Sequence, residues 1–263
     1  MTPYFSNFPR AARTLFPSAL LAALVLAAPF AGARSPDVPT EAPSIDRHGI
    51  PPDDVAKEHK SEIAAFVAAD AKSPPAPGGI LFVGSSTIRL WKPTMAEQFP
   101  DLPWINRGFG GGRTWECVYF FDEIVAPYKP RLIVYFCGTN DTVDPKRTPE
   151  NTLNNTKAFL DLVHTKLPGT RVIYLSLTKS PSRRNVWDKM DAVNRDMAAA
   201  IHADPAAAWF DMNSLVFDEK GEPRMDLYRE DNLHLNAAGY TVLTNALRPL
   251  IDEQLKMTDQ PPR

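Results

Sequence analysis

The sequence is poor in several things that would each have pointed to a function. It has only two cysteines, Cys117 and Cys137, in 263 residues. Both sit among apolar neighbours, where unpaired buried thiols are common. Free thiols are therefore expected, although an oxidising compartment would permit a disulfide. There is no excess of basic residues: the formal net charge is −2, which leaves no footprint for nucleic acid. No H-E-x-x-H or similar metal-ligand pattern occurs, so neither a metal nor a cofactor is expected. No internal repeat is visible, and no feature selects an oligomeric state. What is present is ordinary for a globular protein, with 44% hydrophobic and 23% charged residues. The chain can bury a real core, in one large domain or two small ones.

One long apolar run exists, from Leu15 to Ala28, and no second. Arg10 and Arg13 precede it and Ala31-Gly32-Ala33 follows. A basic start, a short apolar centre and an A-x-A end describe a secretory signal peptide, with cleavage expected after Ala33. An uncleaved membrane anchor is the rival, but the run is short for a span and Pro17 and Pro29 flank it. No cysteine follows the run, which argues against a lipid anchor. Cleavage removes two arginines and no acids, so the mature protein carries more negative charge and is expected to be exported, periplasmic or secreted, with no stable membrane insertion. Residues 34–52, with Pro36, Pro39, Pro43, Pro51 and Pro52, read as a flexible proline-rich tether. The folded domain is expected over 53–256, with 257–263 as a tail.

From residue 53 the pattern is helix first, then an alternation. A helix over 53–72 is stopped by Ser73-Pro74-Pro75-Ala76-Pro77-Gly78-Gly79. Strands are expected at 80–83, 104–106, 132–136, 172–177 and 208–211. Helices are expected near 87–98, 114–125, 150–166, 186–202 and 236–255. Alternating strands and helices predict an α/β fold: a flavodoxin-like parallel five-stranded sheet between two layers of helices. In such a fold ligands bind at the carboxyl ends of the strands, so the residues just after each strand belong together.

Those residues form a chemically coherent set. Ile80–Val83 runs straight into Gly84-Ser85-Ser86, which puts a hydroxyl at the sheet edge beside free helix N–H groups; the alternative is a turn with a serine helix cap. Arg107-Gly108-Phe109-Gly110-Gly111-Gly112 follows the second strand, and glycine lets backbone N–H groups approach a ligand closely. Gly138-Thr139-Asn140-Asp141 follows the third, where Asn140 can offer an amide; a simple turn is the alternative. Of five histidines, His48 and His59 lie in or near the tether and first helix, and His164 and His202 fall late in helices. Only His234 sits in a loop at the site edge, and Asp231 precedes it by three residues, within reach of the ring. Alone, Asp-x-x-His is also a common surface turn. A hydroxyl, a base, a group that orients the base, and donors for an oxyanion are what serine-based ester hydrolysis requires. The other serine elbow, G-x-S-x-G, is absent, because position 88 is Ile.

In this order the four blocks resemble the SGNH hydrolases, or GDSL-type esterases. The matching stretches are Phe82–Ser86, Asn106–Gly111, Gly138–Asp141 and Asp231–Asn236, the last running into Ala237-Ala238-Gly239-Tyr240, and the likeness spans about 53–252. The resemblance implies a three-layer α/β/α sandwich and no metal. It implies Ser86 as nucleophile, His234 as general base and Asp231 as its partner, with oxyanion donors from the Ser86 and Gly111 N–H groups and the Asn140 side chain. The family's usual Gly-Asp-Ser is Gly84-Ser85-Ser86 here; the missing aspartate is not the one that orients the base.

Arg113 and Trp115 after the glycine block, and Lys179, Arg183, Arg184 and Trp187 after the fourth strand, are expected near the rim, where a tryptophan could stack on a sugar or simply pack. Asp141 and Asp144 read as solvated loop charges. No long amphipathic lid is seen. Short acyl esters are the expected substrates, with carbohydrate O-acetyl groups first and lysophospholipids or thioesters as the alternative; a non-catalytic binding module on the same fold is the rival from another class. Amino-terminal sequencing of the exported protein is expected to begin at Arg34, and a chain that retains residues 1–33 would overturn the cleavage reading.

Overall fold

The strands form because their apolar runs are short, β-branched or aromatic, and bounded by turn residues. A computed structural model describes residues 57–258; the expected signal peptide, the expected tether and the last five residues of the chain lie outside them. Helix α1 (Lys57–Lys72) leads into β1 (Ile80–Gly84), followed by α2 (Ser86–Gln98), β2 (Trp104–Gly108), α3 (Thr114–Tyr119) and α4 (Phe121–Ile124). Then come β3 (Leu132–Phe136), α5 (Thr139–Val143), α6 (Pro149–Lys166), β4 (Arg171–Leu175), α7 (Trp187–His202), β5 (Ala207–Phe210), α8 (Asn213–Val216) and α9 (Ala237–Thr258). The five strands pair in parallel in the order β2-β1-β3-β4-β5. This is the expected sheet.

The sheet is buried on both faces, which is why its strands are continuously apolar rather than alternating. Alternate residues serve two cores. Leu81, Val83, Ile133, Tyr135, Val172 and Tyr174 pack on one side against side chains of α1, α3, α4, α6 and α7. Phe82, Val134, Phe136, Ile173 and Leu175 pack on the other against α2, α8 and α9. There Trp91 stacks on Tyr240 with ring centroids 5.6 Å apart, and the Tyr240 hydroxyl donates to the Thr87 carbonyl. The last helix is thus tied to the first turn of α2.

Two expected features differ. The helix expected over 114–125 is two short helices divided at Phe120, a buried ring that turns the chain. A short helix, α5, occupies 139–143, where the sequence reads as a loop offering the Asn140 amide or a simple turn.

Gly84 makes the edge possible. It pairs with both Gly108 and Phe136 and has φ +139°, a conformation reserved for glycine. A Cβ at this position would collide with the Phe136 carbonyl oxygen. Replacing Gly84 with alanine is expected to destabilise the fold by at least about 2 kcal/mol, read as a lowered urea midpoint with unchanged slope.

Candidate active site

The reversal after Gly84 separates the two serines. Ser85 stands at the N-cap of α2, fully buried, and its hydroxyl makes no capping bond. Ser86 is the first helical residue, so its N–H has no intrahelical acceptor, and its Oγ lies 2.9 Å from His234 Nε2. The two residues are 148 apart in sequence.

The His234 loop is held by its own main chain. The Arg229 N–H donates to the His234 carbonyl. Asn232 takes a left-handed φ of +54°, which asparagine tolerates. The Ser182 N–H donates to its carbonyl. Asn236 accepts from Gly239 N–H at the start of α9 and donates to the carbonyls of Asp226 and Tyr228.

Asp231 accepts from the N–H groups of Leu233 and His234 with one oxygen, at 2.9 and 3.0 Å. Its other oxygen lies 2.7 Å from His234 Nδ1. Partial burial raises its pKa, but hydrogen bonds from the His234 N–H, the ring and the Leu233 N–H outweigh this and hold the carboxyl down to about 2. An ionised carboxylate only accepts. Nδ1 therefore carries a proton, and in the neutral ring Nε2 is left as an acceptor for the Ser86 hydroxyl. The line Ser86–His234–Asp231 is thus set up to draw the serine proton into the ring.

Ser86 and His234 open on a small, shallow cleft bounded by Asn140, Thr139, Thr178 and Ser180, with Phe136 and Leu233 as its apolar walls. Asn140 donates one amide hydrogen to the Gly112 carbonyl at 3.0 Å, which leaves its second for a ligand. Gly111 is exposed with φ +73°. Among the described residues no group of three or more histidine, cysteine or acidic side chains is arranged to hold a metal ion.

Several expected positions need correction. Trp115 does not reach the rim: α3 turns it into the core, where it is buried beside Tyr119 and the Arg147 guanidinium. Trp187 packs. Its indole N–H donates to the Ser180 carbonyl, the Phe217 ring meets it edge to face, and the Arg184 guanidinium covers it at 4.5 Å. Arg113 and Arg183 are half-buried, and Arg183 is on the 3-10 segment that follows Ser180. Asp141 is not solvated. It is completely buried and accepts from the N–H and hydroxyl of Thr114. Asp144 is half-buried near Arg113 and Arg147. Cys117 and Cys137 are free, buried thiols, and Cys137 Sγ donates to the Gly112 carbonyl. His59, passed over in the sequence, is buried against Glu116; nothing local in its helix marks that long-range partner.

The sequence model of the GDSL-like lipase/acylhydrolase family matches residues 82–242. Platelet-activating factor acetylhydrolase IB subunit alpha1 of Bos taurus is 28% identical over 181 residues, covering 65% of this chain and 74% of that protein. The alpha2 subunit of Rattus norvegicus is 26% identical over 186 residues, covering 69% and 79%. Among solved structures, a GDSL-like lipase from Bacteroides thetaiotaomicron superposes with a TM-score of 0.60 at 22% identity, over 75% of this chain and 97% of that one. That likeness is one of fold.

Burial dominates at Asp141 and raises its pKa to about 6, against the hydrogen bonds of Thr114 and the charges of Arg147 and Arg113. The folded state then holds a proton that the unfolded chain releases near pH 4. Stability from this group is highest below about pH 4, falls as pH rises through 6, and is level above it. Replacement by asparagine is expected to flatten that slope, of the order of 2–3 kcal/mol, in urea titrations between pH 4 and 7; an unchanged slope would refute it.

Proposed function

The chain belongs to the GDSL-like lipase/acylhydrolase family of serine hydrolases, and from that premise we propose that it is an esterase removing short acyl groups through an acyl-serine intermediate. The observation that carries this reading is the hydrogen-bonded line from Ser86 through His234 to Asp231.

Ser86 Oγ attacks the ester carbonyl while His234 Nε2 takes its proton. Asp231 keeps Nδ1 protonated and steadies the imidazolium that forms. The carbonyl oxygen becomes an oxyanion and is met by the Ser86 and Gly111 N–H groups and the Asn140 amide. Collapse breaks the bond to the alcohol, which leaves with the proton from His234. Water then repeats the sequence: its proton goes to His234, its oxygen attacks the acyl carbon, and the acid leaves as Ser86 regains its proton.

The size and lining of the cleft favour a small acyl group. Two apolar walls, Phe136 and Leu233, face a ring of hydroxyl and amide side chains, which is poor lining for a long hydrocarbon chain. The name of the curated relatives, acetylhydrolase, agrees with acetyl as that group. Acetylated carbohydrate is our first substrate class, and Arg113 and Arg183, expected at the rim from the sequence, are our candidates for contacts to its alcohol part. Export to the periplasm or medium would suit such a substrate and rests on the sequence pattern of residues 1–33.

Purified protein is expected to hydrolyse 4-nitrophenyl acetate with kcat/KM at least about tenfold above the octanoate, to release acetate from an acetylated sugar, and to label with a fluorophosphonate. Ser86→Ala is expected to abolish turnover and labelling. A wild-type protein that neither labels nor turns over would be a binding module, and octanoate preferred over acetate would return the reading to lysophospholipids or thioesters.

A further inference from the structure

Helix α1 precedes the stretch matched by the family, yet its polar side chains hold the loop after β2. Its apolar contribution is small: only Ile63 among its described hydrophobic residues is buried. Its polar contacts are more numerous. Asp70 pairs with Arg107, and the Tyr128 hydroxyl donates to it. Glu62 accepts from the Gly110 N–H at 3.1 Å and lies 3.7 Å from Arg89. His59 is buried with its ring tilted over Phe109 and Nδ1 on Glu116. The other oxygen of Glu116 accepts from the Arg113 N–H at 2.9 Å.

These contacts bracket Gly111. Its positive φ and lack of a side chain leave the peptide planes on either side free to rotate unless their neighbours are fixed. The N–H of Gly110 is fixed by Glu62, and that of Arg113 by the Glu116 that meets His59. The carbonyl of Gly112 is fixed from the opposite side by Asn140 and Cys137. Between these pins the His59 ring stands against Gly111 itself, with Nε2 3.5 Å from where a Cβ would be. We propose that α1 is a clamp for the oxyanion loop, in which His59 and Glu62 are positioning residues that aim the Gly111 N–H into the cleft. The inference rests on the esterase reading, in which that N–H binds the oxyanion.

The test uses the full chain carrying His59→Ala, His59→Asn or Glu62→Ala, with 4-nitrophenyl acetate as substrate. Deleting an oxyanion donor costs about 100-fold or more in kcat, and loosening one should cost less. Each alanine variant is expected to lose about tenfold in kcat with KM within about threefold. Each should bind a trifluoromethyl ketone, whose hemiketal oxygen needs the same donors, correspondingly more weakly. His59→Asn, whose amide can reach Glu116 as Nδ1 does, should recover most of the loss. Should His59→Ala fail to fold, the half-exposed Glu62 carries the test. Folded alanine variants with wild-type kcat and ketone affinity would overturn the clamp, as would His59→Asn no better than His59→Ala. Ser86→Ala separates the two readings: if it keeps wild-type turnover, the esterase reading itself has failed, whereas a dead Ser86→Ala beside unaffected α1 variants removes the clamp alone.

Discussion

The approach of Gly84 to the Phe136 carbonyl is the contact on which the site depends. Parallel strands carry all their carboxyl ends to one edge, but the side chains there meet only if the chain can reverse at once. At Gly84 it does, in a backbone conformation closed to other residues. The Ser85 N–H donates to the Phe136 carbonyl, and α2 starts at the next residue. Ser86 therefore leaves the sheet beside the end of β3, and Asn140 stands in α5, just after that strand. A reversal one residue later would put Ser86 in the buried N-cap place and Thr87 where Ser86 now meets His234.

The partner of Ser86 arrives from the far end of the chain, and the structure spends several interactions on its arrival. Trp91 on Tyr240, the Tyr240 hydroxyl on Thr87, and the Thr244 hydroxyl on Gln98 join α9 to α2. Asn236 caps α9 and ties the loop before it to Tyr228. With both ends of the Asp231–His234 loop fixed in this way, the imidazole needs only the carboxylate three residues earlier to set its tautomer. The low pKa of Asp231 follows from the same geometry, because main-chain N–H groups serve one oxygen while the ring occupies the other.

The sequence made the sheet, its order class and the four loops at its edge legible, because each rests on local signals: apolar runs, glycines at strand ends, and a histidine shortly after an aspartate. What it concealed depends on partners distant in sequence. Asp141 looks solvated in a polar turn, and only α3, brought across by the fold, supplies the two donors on Thr114 that allow its burial. Trp115 follows a glycine loop and so looks exposed, but the first turn of α3 rotates it inward. Trp187 offers the same side chain to a sugar or to a core, and the Ser180 carbonyl and Phe217 decide for packing. His59 gives no sign at all, since a histidine near the start of a polar helix is ordinary until Glu116 is seen beneath it.

A loop of consecutive glycines has no side chains with which to pack itself in place, so its order must come from hydrogen bonds to its main chain. Carboxylates make the strongest such acceptors, and three of them serve residues 110–114: Glu62 on Gly110, Glu116 on Arg113 and Asp141 on Thr114. So many acids beside a loop proposed to meet an oxyanion would oppose its charge. The guanidinium groups explain how this is contained. Arg89 lies by Glu62, Arg113 and Arg147 approach Asp144, and the latter two also lower the pKa of Asp141. Burial at Asp141 still prevails and leaves that carboxyl near a pKa of 6, a cost in stability at neutral pH accepted for a fixed N–H at the start of α3. The main chain of the glycine loop is thus held by charged groups that would be poor choices for stability alone.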